Sequence, residues 1–170
     1  IFFDGDGTLW YPKATKRSKA PHWVYTHPET AKDANNHLMI TPTTLSTLKK
    51  LRKKGILTII LSTHPHLKKE ADIILNKKIT HFNLNNLFDE IHTARKYESS
   101  KGQTIQRILK RKKIPKKYAL MIGDNYIWDY KSAKDKGIDC LLINNTYNKN
   151  KNFHKVKSKI TKLKDLLLYI

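Results

Sequence analysis

The sequence predicts an α/β chain, a three-layer doubly wound parallel sheet, on three observations. Short apolar or β-branched runs recur at residues 1–3, 56–61, 118–122 and 139–143. Between them lie segments with the three-to-four-residue apolar spacing of helices. Three of the runs end in polar residues able to do chemistry: Asp4 and Asp6, Ser62 and Thr63, and Asp124. Strand and helix alternating at this interval build right-handed βαβ units, whose parallel strands all release their carboxyl ends on one edge.

The elements follow in order. Residues 1–3 are a buried strand that leaves the core at Asp4. The chain begins inside this strand without Met, so a few upstream residues are expected. Residues 9–41 are polar, contain Pro12, Pro21, Pro28, His22 and His27, and show little periodicity. They read as a long flap or loop insertion with a little strand around residues 22–25. Thr41 as N-cap and Pro42 in the first turn open a helix, with Leu45, Leu48 and Leu51 as its buried stripe and Gly55 as its stop. The strand at 56–61 finishes at Ser62 and Thr63.

Residues 66–76 fit a helix with Leu67, Ala71 and Ile74 on one face, and 88–93 a short strand. Ser99 or Ser100 caps the next helix, which turns Ile105, Ile108 and Leu109 inward and closes at Pro115. The strand at 118–122 ends at Gly123 and Asp124. A helix over 126–136 stops at Gly137 and leads into the strand at 139–143. The Lys- and Asn-rich stretch 144–159 reads as loop or weakly ordered chain, and 161–169 as a last helix. No internal repeat or second unit is visible, so residues 1–170 read as one domain.

Composition narrows the function. At 170 residues the chain suits one domain with a real core. Its single cysteine, Cys140, sits among apolar residues, which excludes a disulfide framework or a Cys-rich zinc site and points to the cytoplasm. Apolar runs at 57–61 and 166–170 are far too short to span a bilayer, so no membrane partner is expected. Nothing in the sequence sets an oligomeric state. The net charge of +20 invites nucleic acid. Only 5 of the 34 basic residues are Arg, against 18 Ile and 12 Asn in the chain. Nucleic-acid sites lean on Arg for bidentate contacts and stacking, so compositional bias is the preferred reading and nucleic acid is not favoured as partner.

The stretch from Asp4 to Trp10 carries the most chemistry. Two carboxylates one residue apart at a strand end can divide labour, one as nucleophile or metal ligand and the other trading protons. A calcium loop asks for Gly at its sixth position and Glu at its twelfth; counted from Asp4, those are Leu9 and Thr15. A plain acidic turn is the other bland alternative, and the distant matches argue against it. In a doubly wound sheet the ligand sits beyond the strands' carboxyl ends, at the switch in strand order. Asp4 and Asp6, Ser62 and Thr63, Asp124, and Lys101 at a helix start should therefore meet in one crevice.

Those residues resemble the four motifs of the haloacid dehalogenase superfamily, whose members are mostly phosphatases on a Rossmann-like core. Asp4-Gly5-Asp6-Gly7-Thr8 looks like motif I, Ser62 like motif II and Lys101 like motif III. The run from Gly123 to Asp129 matches the GDxxxxD form of motif IV. Thr8-Leu9-Trp10, the short segment before Thr41 and the 23-residue step from Lys101 to Asp124 resemble more narrowly the magnesium-dependent phosphatase 1 family, whose members have little or no cap domain. The chain departs from that family at Thr63-His64-Pro65, where an arginine would follow Ser62, and at Gly7, where a bulkier residue stands.

The resemblance implies a Mg²⁺-dependent phosphomonoesterase working through an aspartyl-phosphate. Asp4 would be the nucleophile and Asp6 the acid and base. Mg²⁺ would be held by Asp4, Asp124 and a backbone carbonyl at Asp6, with Asp129 holding a metal-bound water or orienting the loop. Lys101 would neutralise charge, Ser62 or Thr63 would hydrogen-bond a phosphoryl oxygen, and His64 and His66 would either touch substrate or be solvated loop histidines. Trp10 and Trp128 read as core or rim aromatics. The implied substrate is a phosphorylated small molecule or phosphoprotein, phosphotyrosine or a sugar phosphate among them. A polynucleotide 3′-phosphatase, or a basic nucleic-acid-binding module with a vestigial site, is the alternative.

Overall fold

The computed structural model describes residues 1–64, 66–95 and 99–170. Among these, six strands form one parallel sheet in the order β5-β4-β1-β6-β7-β8. They are β1 (Phe2–Phe3), β4 (Ile59–His64), β5 (Glu90–Arg95), β6 (Leu120–Gly123), β7 (Asp139–Ile143) and β8 (Lys159–Ile160). A small antiparallel sheet pairs β2 (Trp10–Pro12) with β3 (Leu38–Ile40), Trp10 opposite Ile40. The chain runs outward from β1 to β4 and β5, then returns to the other side of β1 for β6, β7 and β8. That reversal puts the ends of β4, β1 and β6 side by side at the switch point, where a crevice opens.

Alternation along the strands builds two cores. Phe3, Ile60, Ile122 and Leu141 pack on one face with Leu48 and Leu51 of α1 (Thr44–Lys53), Leu75 and Ile79 of α2 (Lys68–His81), and Leu163 and Leu166 of a final 3-10 helix. Phe2, Ile59, Leu61, Met121 and Leu142 pack on the other with Ile105, Ile108 and Leu109 of α3 (Lys101–Lys112), Ala133 of α4 (Ser132–Lys134) and Phe153 of α5 (Lys151–Lys155). Successive strand residues face opposite ways, and parallel strands covered on both faces read as continuous apolar runs. This is the three-layer arrangement the sequence predicts, and its helices carry no cap-sized insertion among the described residues.

Several elements differ from expectation. Residues 22–25 are no strand: Pro21–Tyr25 is a 3-10 turn with proline at its start. The flap's strands are β2 and β3 instead, three residues each, too short for periodicity to reveal. Helix α1 begins at Thr44, because the Thr41 hydroxyl donates to the Thr8 carbonyl rather than capping a helix. Leu45 lies at the rim of the stripe, 38% exposed, with Thr44 and Thr47 buried beside Leu48 and Leu51. Leu67 precedes α2 and is exposed; the helix runs on to His81 and buries Ala71, Leu75, Lys78 and Ile79, leaving Ile74 half-buried.

Ser100 caps α3 with a reciprocal capping box to Gln103. Residues 126–131 form a π-helical turn before α4, with the Tyr130 amide reaching back five residues to the Asn125 carbonyl. The stretch 144–159 holds α5 and the start of β8, and the final helix is 3-10 in form, Leu163–Tyr169. Pro65 lies outside the described residues.

Candidate active site

The end of β1 delivers the first acid. The Asp4 amide donates to the Ile122 carbonyl at 2.8 Å, which continues the ladder to β6 and fixes Asp4 beside Asp124. The chain then turns back on itself, with the Leu9 amide donating to the Gly5 carbonyl at 2.8 Å. Gly7 has φ +83°, and a Cβ there would lie 2.4 Å from Asp124 Oδ2, so the approach of the two loops requires glycine. That is the physical reason a bulkier residue is absent here.

Asp4, Asp124 and Asp129 gather ligand oxygens within 4.8 Å of one another, all buried. Lys101 Nζ lies between two of them, 2.5 Å from Asp4 Oδ1 and 2.6 Å from Asp129 Oδ1. Burial works against the ammonium charge, but Asp129 and Asp4 outweigh it and raise the Lys101 pKa above its usual range. Asp129 Oδ2 accepts from the amides of Asp124, at 3.0 Å, and Asn125, at 2.9 Å. The π-helical turn thus aims Asp129 back at the loop that bears Asp124. Close packing enforces this, since a Cβ on Gly123 would sit 2.2 Å from Asp129 Cγ.

One lysine cannot neutralise three carboxylates. Burial pushes the Asp4 carboxyl up to about 6, with Asp129 and Asp6 adding to the rise and Lys101 opposing it. Asp124 is raised by burial, then by Asp129 and Asp4, against a hydrogen bond from Tyr147. A buried all-oxygen cluster with surplus negative charge has the donor chemistry of a hard divalent cation such as Mg²⁺.

Asp6 stands apart from this cluster. Its Oδ1 accepts from Trp10 Nε1 at 2.8 Å and from the Tyr25 hydroxyl, and its Oδ2 pairs with Lys78 Nζ at 2.9 Å. Burial alone would raise its pKa, yet Lys78 and Tyr25 bring it down to about 2. Lys78 is itself buried on α2 and lies 4.2 Å from the Tyr25 ring centroid.

A crevice of about 460 Å³ brings together Asp4, Asp6, Ser62, Thr63, His64, Lys101, Asp124 and Asp129. Ser62 is buried at the end of β4, Thr63 is half-buried beside it, and His64 is 6% exposed, not a solvated loop residue. His66, beyond the strand, is exposed. Trp10 is core, stacked on Phe82 at 5.6 Å, while Trp128 lines the crevice rim.

Sequence reasoning missed the Asp6 partners Tyr25 and Lys78, and the loop after β7. There the Asn145 and Asn148 side chains donate to the Asp124 carbonyl at 3.0 and 3.1 Å, and the Tyr147 hydroxyl donates to Asp124 Oδ2. The available signal was Asn145 and Tyr147 within four residues of the end of β7, on the same carboxyl edge of the sheet as the acids.

Fold, crevice and family together define the class: an enzyme, a hydrolase. The chain belongs to the haloacid dehalogenase-like hydrolase family, whose model matches residues 8–143. No curated protein matches it. Among solved structures it is similar to a predicted phosphoglycolate phosphatase of Haemophilus somnus, at 16% identity and TM-score 0.71, covering 99% of this chain and 96% of that one. A haloacid dehalogenase-like hydrolase of Streptococcus pneumoniae shares 18% identity at TM-score 0.71 with the same coverages, 99% and 96%. A predicted phosphatase of Clostridium acetobutylicum shares 14% at TM-score 0.69, with 99% and 97% covered. At these identities the likeness is one of fold. No helix among the described residues is long and apolar enough to cross a membrane.

Proposed function

We propose that this hydrolase is a Mg²⁺-dependent phosphomonoesterase of the magnesium-dependent phosphatase 1 type, one domain over residues 1–170, with Asp4 as nucleophile and an aspartyl-phosphate as intermediate. The observation that carries the reading is Lys101 held between Asp4 and Asp129 beside a third buried carboxylate, Asp124. Charge of both signs has been concentrated where a strand end meets a crevice, an arrangement that stability alone disfavours.

Asp4 and Asp124, with the carbonyl of Asp6, would hold Mg²⁺, and Asp129 would orient the Asp124 loop from behind. When bound, the cation supplies the positive charge that lets an anionic carboxylate approach an anionic phosphate. One Asp4 oxygen is bonded to Lys101, which fixes the carboxylate's orientation and leaves the other oxygen to attack phosphorus. Lys101 and the Ser62 hydroxyl would hold phosphoryl oxygens as charge spreads over them.

The P–O bond to the alcohol breaks as the Asp4–phosphorus bond forms, and the departing oxygen takes a proton from Asp6. Asp6 then removes a proton from the water that attacks the aspartyl-phosphate, which releases phosphate and restores Asp4. At rest Asp6 is ionised and holds three donors, so the second step starts from the observed state. The first step needs Asp6 protonated, and leaving groups that depart as weakly basic oxygens, such as the phenol of phosphotyrosine, ask least of it. The test is hydrolysis of p-nitrophenyl phosphate. Turnover should require Mg²⁺, vanish with EDTA and return on adding the metal; chelator-insensitive turnover, or none at all with Mg²⁺, refutes the proposal.

A further inference from the structure

Beside the phosphate crevice lies a second cavity of about 800 Å³, between the 3-10 turns of residues 21–37 and helix α2. The two share Asp6, His22, Thr63 and His64. A phosphoryl group on Asp4 with its leaving oxygen turned to Asp6 therefore sends the leaving group across that shared wall. Volumes of this order hold a small organic molecule rather than a macromolecular surface.

The wall chemistry is one-sided. Lys32, Lys77, His66 and His81 line the second cavity, and its two acids are both already engaged. Asp6 is bound by Lys78, Tyr25 and Trp10. Asp33 meets His37 at 3.1 Å and Asn36 at 3.3 Å. Neither Lys32 nor Lys77 takes an ion pair among the described residues, and both are exposed. At the junction, His64 is buried and its Nε2 has no hydrogen-bond partner. Burial, then Lys78, lowers the His64 pKa to about 4, so a neutral imidazole faces the leaving group. An unpartnered buried polar atom is destabilising, and a ligand that bonds to it removes that penalty.

We propose that this cavity is the leaving-group subsite and selects phosphomonoesters whose leaving group carries a second anionic group, a carboxylate or another phosphate. The inference rests on the phosphatase reading above. His64 bonds to the body of the leaving group, while Lys32 and Lys77 meet the distal anion. Each lysine is a flexible point charge, suited to an anion of variable position rather than to a planar bidentate fit.

The experiment compares carboxyphenyl phosphate with carbamoylphenyl phosphate, which have nearly the same shape and differ in one charge. Phenylene bisphosphate against hydroxyphenyl phosphate separates a preference for phosphate from one for carboxylate. At low salt the anionic member of at least one pair should show a roughly tenfold higher kcat/KM, mainly through KM, and the preference should shrink as salt rises. Lys32→Glu/Lys77→Glu should reverse it, and His64→Gln should raise KM for both members of a pair alike. Equal kcat/KM within both pairs, while p-nitrophenyl phosphate is still hydrolysed, overturns the subsite and leaves the phosphatase standing. So does a preference that survives the double charge reversal. Absence of turnover on every aryl phosphate overturns both.

Discussion

Replacing Asp4 by asparagine should abolish turnover and make the metal-free fold more stable. The folded-state carboxyl pKa of Asp4 is raised from 3.8 to about 6, by burial first and by Asp129 and Asp6 next, against Lys101. Two pKa units correspond to about 3 kcal/mol of interaction that disfavours the ionised form at neutral pH. The sign follows from proton counting. Between pH 3.8 and about 6 the folded state binds more protons at Asp4 than the unfolded chain, so stability falls as pH rises through that window and stays low above it. Asparagine keeps the shape, removes the charge and leaves Lys101 paired with Asp129 at 2.6 Å. Allowing for the lost Lys101 contact, a gain of about 1–3 kcal/mol is expected at pH 7, or a few degrees in Tm for a chain of this size. Urea denaturation in EDTA reads it directly, and the gain should fade as pH falls through that window and be lost below 3.8, where wild-type Asp4 is protonated in both states. Mg²⁺ should stabilise the wild type and not the variant. Unchanged or reduced stability at pH 7 would refute the electrostatic account, and wild-type turnover would remove Asp4 as nucleophile.

Three further outcomes are expected. Lys78→Met leaves the Asp6 carboxylate buried with two donors, which should destabilise the fold by about 3 kcal/mol at pH 7. Asp6 is held at about 2, a depressed value, so the pair's stabilisation is present above pH 3.8 and lost as pH falls toward 2; the variant's deficit in urea midpoint should shrink over that range, and a deficit that does not change with pH contradicts the pairing. Gly123→Ala drives a methyl to 2.2 Å from Asp129 Cγ and should lower kcat by about a hundredfold or more through misplacement of the Asp124 loop, with circular dichroism near wild type; normal kcat would mean that Asp129 does not set the loop. Ser100→Ala removes the hydroxyl that accepts from the Gln103 amide, half of a capping box, and should lower stability by about 1 kcal/mol without changing KM.

What the sequence made legible depends on the range over which its signals act. Ile59, Ile60, Met121, Ile122 and residues 140–143 of β7 are apolar on both faces of the sheet, so a run of four to six residues was enough to locate each of these strands. The strand ends then located the acids, since a polar residue ending such a run has only the carboxyl edge to occupy. Lys101 was legible for the same reason, because Ser100 marks a helix start by capping and the first turn of α3 opens on that edge. Flap strands β2 and β3 were not, for each is three residues long and they are joined by the register between Trp10 and Ile40, which no local pattern encodes. The π-helical turn at Tyr126–Lys131 was read as ordinary helix because its apolar spacing does not separate the two. Only the fold of the loop onto Asp129 Oδ2 does so.

The Asp6–Lys78 pair marks where local reasoning stops. Seventy-two residues separate the partners, and in a chain with 34 basic residues no lysine stands out by type. One signal was present. Lys78 follows Ala71 by seven residues and Leu75 by three, with Ile79 next to it, so it lies within the buried stripe of α2, where a solvated lysine does not belong. Periodicity ended that helix at residue 76, two residues short of Lys78, and a charge in an apolar stripe breaks the pattern that would have carried it on. A lysine can be buried there only if the facing surface supplies an anion, and the surface facing α2 across the sheet edge is the motif loop that carries Asp6. The interruption in the stripe was therefore itself a pointer to the site: it required a carboxylate opposite, and in this fold the loop after β1 is the place where one was already predicted.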